Sequence, residues 1–227
     1  AKQIFTLLIA LFGMMYVLNI GTTFILSFIS AGISFISGKG FDFGSVNPVS
    51  EILLNSNPGY LIAIAVLIGP MIEEIMFRKL LLPILEPFGG KAYIFMSAFL
   101  FSLFHGNLNQ IPYAFVVGVV LGAVYWFTHD LRYTILLHIM LNFLGSGVSV
   151  LLLNFAPELA WVWTVAILVL MVAGIVIAAR WWIRHKKELV FLPGAVYASR
   201  QDMLVNPGMI SYMVLTGLIV IFTFFAY

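Results

Sequence analysis

Long apolar stretches recur along the chain, most of them about 18 to 26 residues, the length an α-helix needs to cross a hydrocarbon core about 30 Å thick. They fall near residues 59–84, 91–105, 111–128, 132–153, 158–183 and 208–227, after a still longer stretch from Ile4 to Ile36. Composition agrees: 63% of the 227 residues are hydrophobic and 9% charged, with a mean hydropathy of +1.10, whereas ordinary soluble domains are about a quarter charged. Runs of this length, without ten-residue alternation, predict helices rather than a membrane barrel. The expected fold is all-α, a polytopic membrane helix bundle forming a single domain over 1–227. Seven spans are expected, or eight if the Ile4–Ile36 stretch is interrupted, since Asn19, Gly21 and Thr22 lie near its middle where a kink or break is accommodated. Lys2 precedes that first stretch, but the apolar run continues past signal-peptide length with no small-x-small site following promptly, so it is read as a span.

Turn chemistry marks the connections: Gly38-Lys39-Gly40 through Asn57-Pro58, Pro87 to Gly90, His129-Asp130, and a polar segment from Arg184 to Pro207. Lysine and arginine placement sets the orientation. With Arg180 to Arg200 inside, Lys2, Arg78, Lys79, Lys91, Arg132, Arg180, Arg184, Lys186, Lys187 and Arg200 all fall toward the cytoplasm, and only Lys39 falls outside. An inside N-terminus and an outside C-terminus are expected, in a membrane read as a bacterial plasma membrane. Clustered basic and aromatic residues of a nucleic-acid surface are missing, and the sequence contains no cysteine for a thiolate ligand or nucleophile.

Against this background, Glu73-Glu74-Ile75-Met76-Phe77-Arg78 stands out, because a charge near the bilayer centre costs about 2.5–3.5 kcal/mol and marks a functional site by default. Two further spans carry polar groups at similar depth: His105, ending Phe101-Ser102-Leu103-Phe104-His105, and the pair His138 and Asn142. Residues four apart share a helix face while adjacent ones diverge by about 100 degrees. Glu74 is therefore expected to pair with Arg78, leaving Glu73 pointing elsewhere. Clustering of this kind also suits a transporter or proton relay, and single polar groups serve as interhelical glue in a non-catalytic scaffold. Gly118 and Gly122 are read as a close-packing pair, Gly145-Ser146-Gly147 as a packing or hinge site, and Arg180-Trp181-Trp182 as an interfacial anchor.

The three patterns Glu73-Glu74-x-x-x-Arg78, Phe101-x-x-x-His105 and His138-x-x-x-Asn142, in this order and each on its own span, resemble the CAAX protease and bacteriocin-processing family of intramembrane proteases. The resemblance covers about 59–145, the expected catalytic core. It implies an endopeptidase that hydrolyses a peptide bond of a membrane-associated protein or peptide at the bilayer. By the same resemblance Glu73 is the general base and His105 its hydrogen-bonded partner. His138 and Asn142 donate to the oxyanion, and Glu74 and Arg78 support the site. Glu73, His105 and His138 would alternatively make a zinc site with an open position for water; without His-Glu-x-x-His, and with Asn142 better suited to an oxyanion, the metal-free mechanism is favoured. Asp42, Asp130 and Asp202 fall in expected loops, which excludes an aspartyl dyad. Substrate choice stays open among prenylated tails, peptide leaders and membrane-anchored regulators, as does the immunity role of a bacteriocin-binding relative.

Overall fold

The computed structural model describes residues 2–38, 57–185 and 199–225. Among them the regular structure is helical throughout. Five helices are long and apolar enough to cross a membrane, α1 (Lys2–Ser37), α2 (Pro58–Phe88), α4 (Ile111–Thr128), α5 (Leu131–Phe155) and α6 (Pro157–His185); α3 (Gly90–Phe104) and α7 (Pro207–Phe225) are shorter apolar helices. The chain is an integral membrane protein with an all-α polytopic fold. The expected loop from Gly38 to Pro58, with Lys39 and Asp42, lies mostly outside the described residues, as does most of Arg184 to Pro207, with Lys186 and Lys187.

The alternative of an interrupted first stretch falls away. Ile4–Ile36 lies within one unbroken 36-residue helix, about 54 Å long at 1.5 Å per residue. No proline interrupts it, Gly21 has open space around it, and the Thr22 hydroxyl donates to the Leu18 carbonyl at 2.7 Å within the helix itself. A helix this much longer than the hydrocarbon core must tilt or project beyond it.

By contrast, α2 changes winding along its length. Asn57 caps it by accepting from the Gly59 and Tyr60 amides at 2.9 and 3.3 Å, with Pro58 at the first helical position. Ile62–Ile68 is then π-wound, Gly69–Glu74 returns to α, and Ile75–Leu80 is π-wound again. The two glutamates thus sit on an α-helical turn bracketed by two wider ones, with Arg78 on the second of these, the kind of irregularity common at functional sites. In α5 the Phe143–Gly147 segment is a third π turn, which accounts for Gly145-Ser146-Gly147.

Small residues bring the helices together. A Cβ on Gly118 would lie 3.0 Å from the Ala98 Cα, and one on Gly122 3.3 Å from the Ser97 hydroxyl, so α4 packs close on α3 as the spacing suggests. A second close approach joins α1 to α6, where a Cβ on Gly13 would be 2.7 Å from the Gly174 Cα. Leu8, Leu11 and Phe12 of α1 bury against Val117 and Leu121 of α4 and Leu137 and Leu141 of α5, forming the floor beneath the polar site. The outer surface carries Phe24, Phe28, Trp161 and Phe222, each more than two-thirds exposed, an apolar coat that only lipid would cover.

Candidate active site

The α-helical turn Gly69–Glu74 packs against α5, which turns Glu74 inward and brings it to His138. Glu74 and Arg78 are each 0% exposed, and the Arg78 Nε donates to Glu74 Oε2 at 3.0 Å. The other oxygen, Oε1, accepts from His138 Nδ1 at 3.0 Å. Arg78 Nη1 donates to the Ser97 hydroxyl at 3.3 Å, and its guanidinium lies 5.1 Å from the centre of the Phe101 ring, a cation–π contact strengthened by burial. The pairing along α2 is thus the one that the four-residue spacing indicates. A buried ion pair costs desolvation of both partners, and only added hydrogen bonds offset it; His138, Ser97 and Phe101 supply those contacts.

Glu73, one position earlier, makes no ion pair with Arg78 among the described contacts and stays about one-fifth exposed. Its Oε2 lies 3.6 Å from His138 Nε2, ion-pair range but too long for a hydrogen bond. The family resemblance pairs Glu73 with His105; the imidazole in ion-pair range of its carboxylate is that of His138, and His105 interacts with it electrostatically. With Nδ1–H given to Glu74 and Nε2 turned to Glu73, His138 links the two adjacent carboxylates instead of standing free as an oxyanion donor.

His105 ends α3. Its Nδ1 is 3.0 Å from the Phe101 carbonyl, and a carbonyl only accepts, so Nδ1 carries the hydrogen and Nε2 of the neutral ring is left as an acceptor. The Phe101 ring meets His105 and His138 edge-on, with centroids 4.9 and 5.5 Å away. Phe101 is the packing residue that the motif suggested, and it seats three polar side chains: both imidazoles and Arg78.

A cavity of about 380 Å³ opens here, lined among others by His105, His138 and Asn142 together with Phe101, Tyr16 and Ser146. Glu73 is not part of that lining; it meets the cavity wall through His138 Nε2. Asn142 Nδ2 donates to the Ala65 carbonyl of α2 at 3.0 Å, and Ser146 donates to the Asn142 carbonyl at 2.9 Å. All the motif residues therefore gather around one space, in two groups: Glu73, Glu74, Arg78 and His138 in direct contact, and His105 and Asn142 across the cavity wall.

For the zinc alternative, no group of three His, Asp or Glu side chains among the described residues is placed to hold a metal ion. The Nδ1 atoms of His138 and His105 are held by Glu74 and by the Phe101 carbonyl, which leaves Nε2 as the outer nitrogen of each ring.

Several contributors were missed by sequence reasoning. Ser97 is one of two serines, with Ser102, on an apolar span, a signal the Arg78 pairing could have exposed. Tyr16, whose hydroxyl donates to the Gly145 carbonyl at 3.1 Å, and Asn19 bring α1 onto the cavity wall; nothing in the motif spacing points to them. Gly69-Pro70, a helix-breaking dipeptide just ahead of the glutamates, was legible and unread.

Residues 55–144 match the family model described as Rce1-like, type II CAAX prenyl endopeptidase Rce1-like. The chain is 31% identical over 125 residues to the membrane-embedded CAAX protease MroQ of Staphylococcus aureus (strain USA300). That alignment takes in 50% of this chain and 48% of MroQ, so the chain spans about half the length of the curated relative it matches. No solved structure matches it.

Proposed function

We propose that the chain, whose residues 55–144 match the Rce1-like CAAX endopeptidase model, is a member of the CAAX protease family and an intramembrane endopeptidase acting on a membrane-associated protein or peptide. The observation that carries this reading is the division of labour between adjacent glutamates. Glu74 is spent on Arg78 and His138, while Glu73 is left without an arginine and partly exposed beside the cavity that His105 and Asn142 line.

In the proposed reaction Glu73 takes a proton from water as the oxygen attacks the scissile carbonyl carbon. The Nε2 of His105 accepts the water's second hydrogen and orients it. The carbonyl π electrons pass to oxygen, and the oxyanion is met by the second amide hydrogen of Asn142, a donor worth about 3–4 kcal/mol in comparable sites. The C–N bond then breaks as Glu73 returns its proton to the departing nitrogen. His138 acts through others: anchored on Glu74 and hence on Arg78, it fixes where the Glu73 carboxylate stands. No step passes through a metal.

The N-terminus is proposed to be cytoplasmic, from the basic residues of the short connections, in a bacterial plasma membrane. The catalytic core is proposed to be about 59–145. The test is cleavage of a membrane-anchored peptide library by purified protein in nanodiscs, wild type against Glu73→Gln, with and without chelator. Cleavage that needs Glu73 and survives exhaustive chelation is expected. Cleavage lost to chelator and restored by zinc would overturn the mechanism, and intact peptides throughout would overturn the protease reading.

A further inference from the structure

Pro70 lies between the cavity-lining stretch of α2 and the glutamates. Its consequence is a missing hydrogen. At the end of the π-wound segment Ile62–Ile68 the Gly69 amide reaches five residues back and bonds the Ile64 carbonyl. The next amide in that register would serve the Ala65 carbonyl, but it belongs to Pro70, which has no N–H. Gly69, the α-helical alternative for Ala65, is already spent on Ile64. The Ala65 carbonyl is thus left without a helical donor on the cavity wall, and a backbone carbonyl within a membrane span has to find its donor elsewhere. It is this carbonyl, on a different helix, that accepts Asn142 Nδ2 at 3.0 Å.

Gly69 is needed for the same register. A Cβ there would lie 2.9 Å from the Ile64 carbonyl oxygen, inside the distance real Cβ atoms keep. Since a carbonyl only accepts, the Asn142 side chain has one admissible orientation, with its NH2 toward α2 and its second N–H free. Ser146 holds the backbone carbonyl of Asn142 from the next turn at 2.9 Å.

We propose that Gly69-Pro70 is a positioning device: it strips the Ala65 carbonyl of its helical donor so that Asn142 must satisfy it, which locks α2 to α5 and fixes the amide that faces the cavity. The catalytic half of this inference rests on the reading of Asn142 as an oxyanion donor; the structural half does not. Pro70 is a positioning residue, and Ala at that position restores the missing N–H.

The experiment is a double-variant cycle on the full chain, with Pro70→Ala, Asn142→Ala and the pair. Two readouts are taken, the thermal unfolding midpoint in detergent and kcat and KM on a membrane-anchored peptide. Asn142→Ala is expected to lower the midpoint in the otherwise wild-type chain and to lower it clearly less beside Pro70→Ala, where the amide of residue 70 serves Ala65. Pro70→Ala is expected to reduce kcat about 10- to 100-fold through a misplaced amide, with KM within about twofold. Adding Asn142→Ala should then cost little more. Equal midpoint losses in both backgrounds, or wild-type kcat in Pro70→Ala, would overturn the inference. Pro70→Ser carries the same restored N–H and replaces Pro70→Ala if that variant does not fold; failure of both to fold would also contradict it, because the device requires Pro70 for alignment and not for folding. If no form cleaves peptide while the midpoints are coupled, the anchor stands and the protease reading fails.

Discussion

Two helices of similar apolar character, α1 and α2, behave in opposite ways. The sequence leaves room for a break in α1, with Asn19, Gly21 and Thr22 near its middle, and reads α2 as a span carrying charges. In the structure α1 runs unbroken for 36 residues, while α2 passes through two π-wound stretches on either side of Glu73 and Glu74. The difference lies in what each residue does to the backbone ladder. Glycine and threonine lower helix propensity but keep their N–H, and Thr22 satisfies its own hydroxyl on the Leu18 carbonyl. Proline removes a donor outright, and in lipid no water replaces it. One helix is merely weakened locally, and the other is rewound and tied to its neighbour.

That contrast is open to attack at several points, beginning with the largest effect. Arg78→Ala strips the partner from a carboxylate that is 0% exposed, and should destabilise the protein by about 3–5 kcal/mol, read as a fall in the unfolding midpoint in detergent. Such a loss would show that the rewound helix is held by its ion pair. A midpoint unchanged by Arg78→Ala would mean that Glu74 is satisfied without it.

Substitutions on α1 separate packing from propensity. Gly13→Ala drives a methyl group to 2.7 Å from the Gly174 Cα and should cost about 1–3 kcal/mol, the usual penalty of overpacking. Gly21→Ala meets nothing within 4 Å and should stabilise the helix by up to about 1 kcal/mol. Paired midpoint measurements check both. If Gly21→Ala destabilised as Gly13→Ala does, α1 would not be the straight, lipid-facing helix described here.

The smallest expected effect is at the surface. Asp130 caps α5 by accepting the Arg132 amide at 2.9 Å and holds the Arg132 guanidinium at 2.6 Å. The side-chain hydrogen bond from Arg132, with help from the amide, keeps the Asp130 carboxyl below its ordinary range. Because the folded-state pKa is depressed, the cap contributes above the ordinary carboxylate pKa and is lost as pH falls through the folded value. Asp130→Ala should therefore lower the midpoint slightly at neutral pH and make no difference in strong acid. Salt should shrink the effect further.

How much was legible follows the same division. Span positions were readable because length and hydropathy decide them: apolar runs near 111–128 and 158–183 reappear as Ile111–Thr128 and Pro157–His185. The Glu74–Arg78 pair was readable because four-residue spacing is local to one helix. What sequence could not give was which imidazole faces Glu73, since that depends on how α5 lies against α2, and spacing within a helix says nothing of that crossing. The Gly13–Gly174 contact was hidden in the same way, because the two glycines lie on helices far apart in sequence and neither belongs to a local pattern. The windings of α2 were half legible: Gly69-Pro70 announced a break, but the register that leaves Ala65 without a donor appears only in three dimensions.

The central claim is that neighbouring glutamates have different tasks, chemistry for Glu73 and support for Glu74. It is tested most directly by measuring peptide cleavage and the unfolding midpoint together on purified Glu73→Gln. The account predicts that turnover disappears while the midpoint stays at the wild-type value. Cleavage that persists, or a loss of turnover accompanied by a falling midpoint like that of Arg78→Ala, would contradict it.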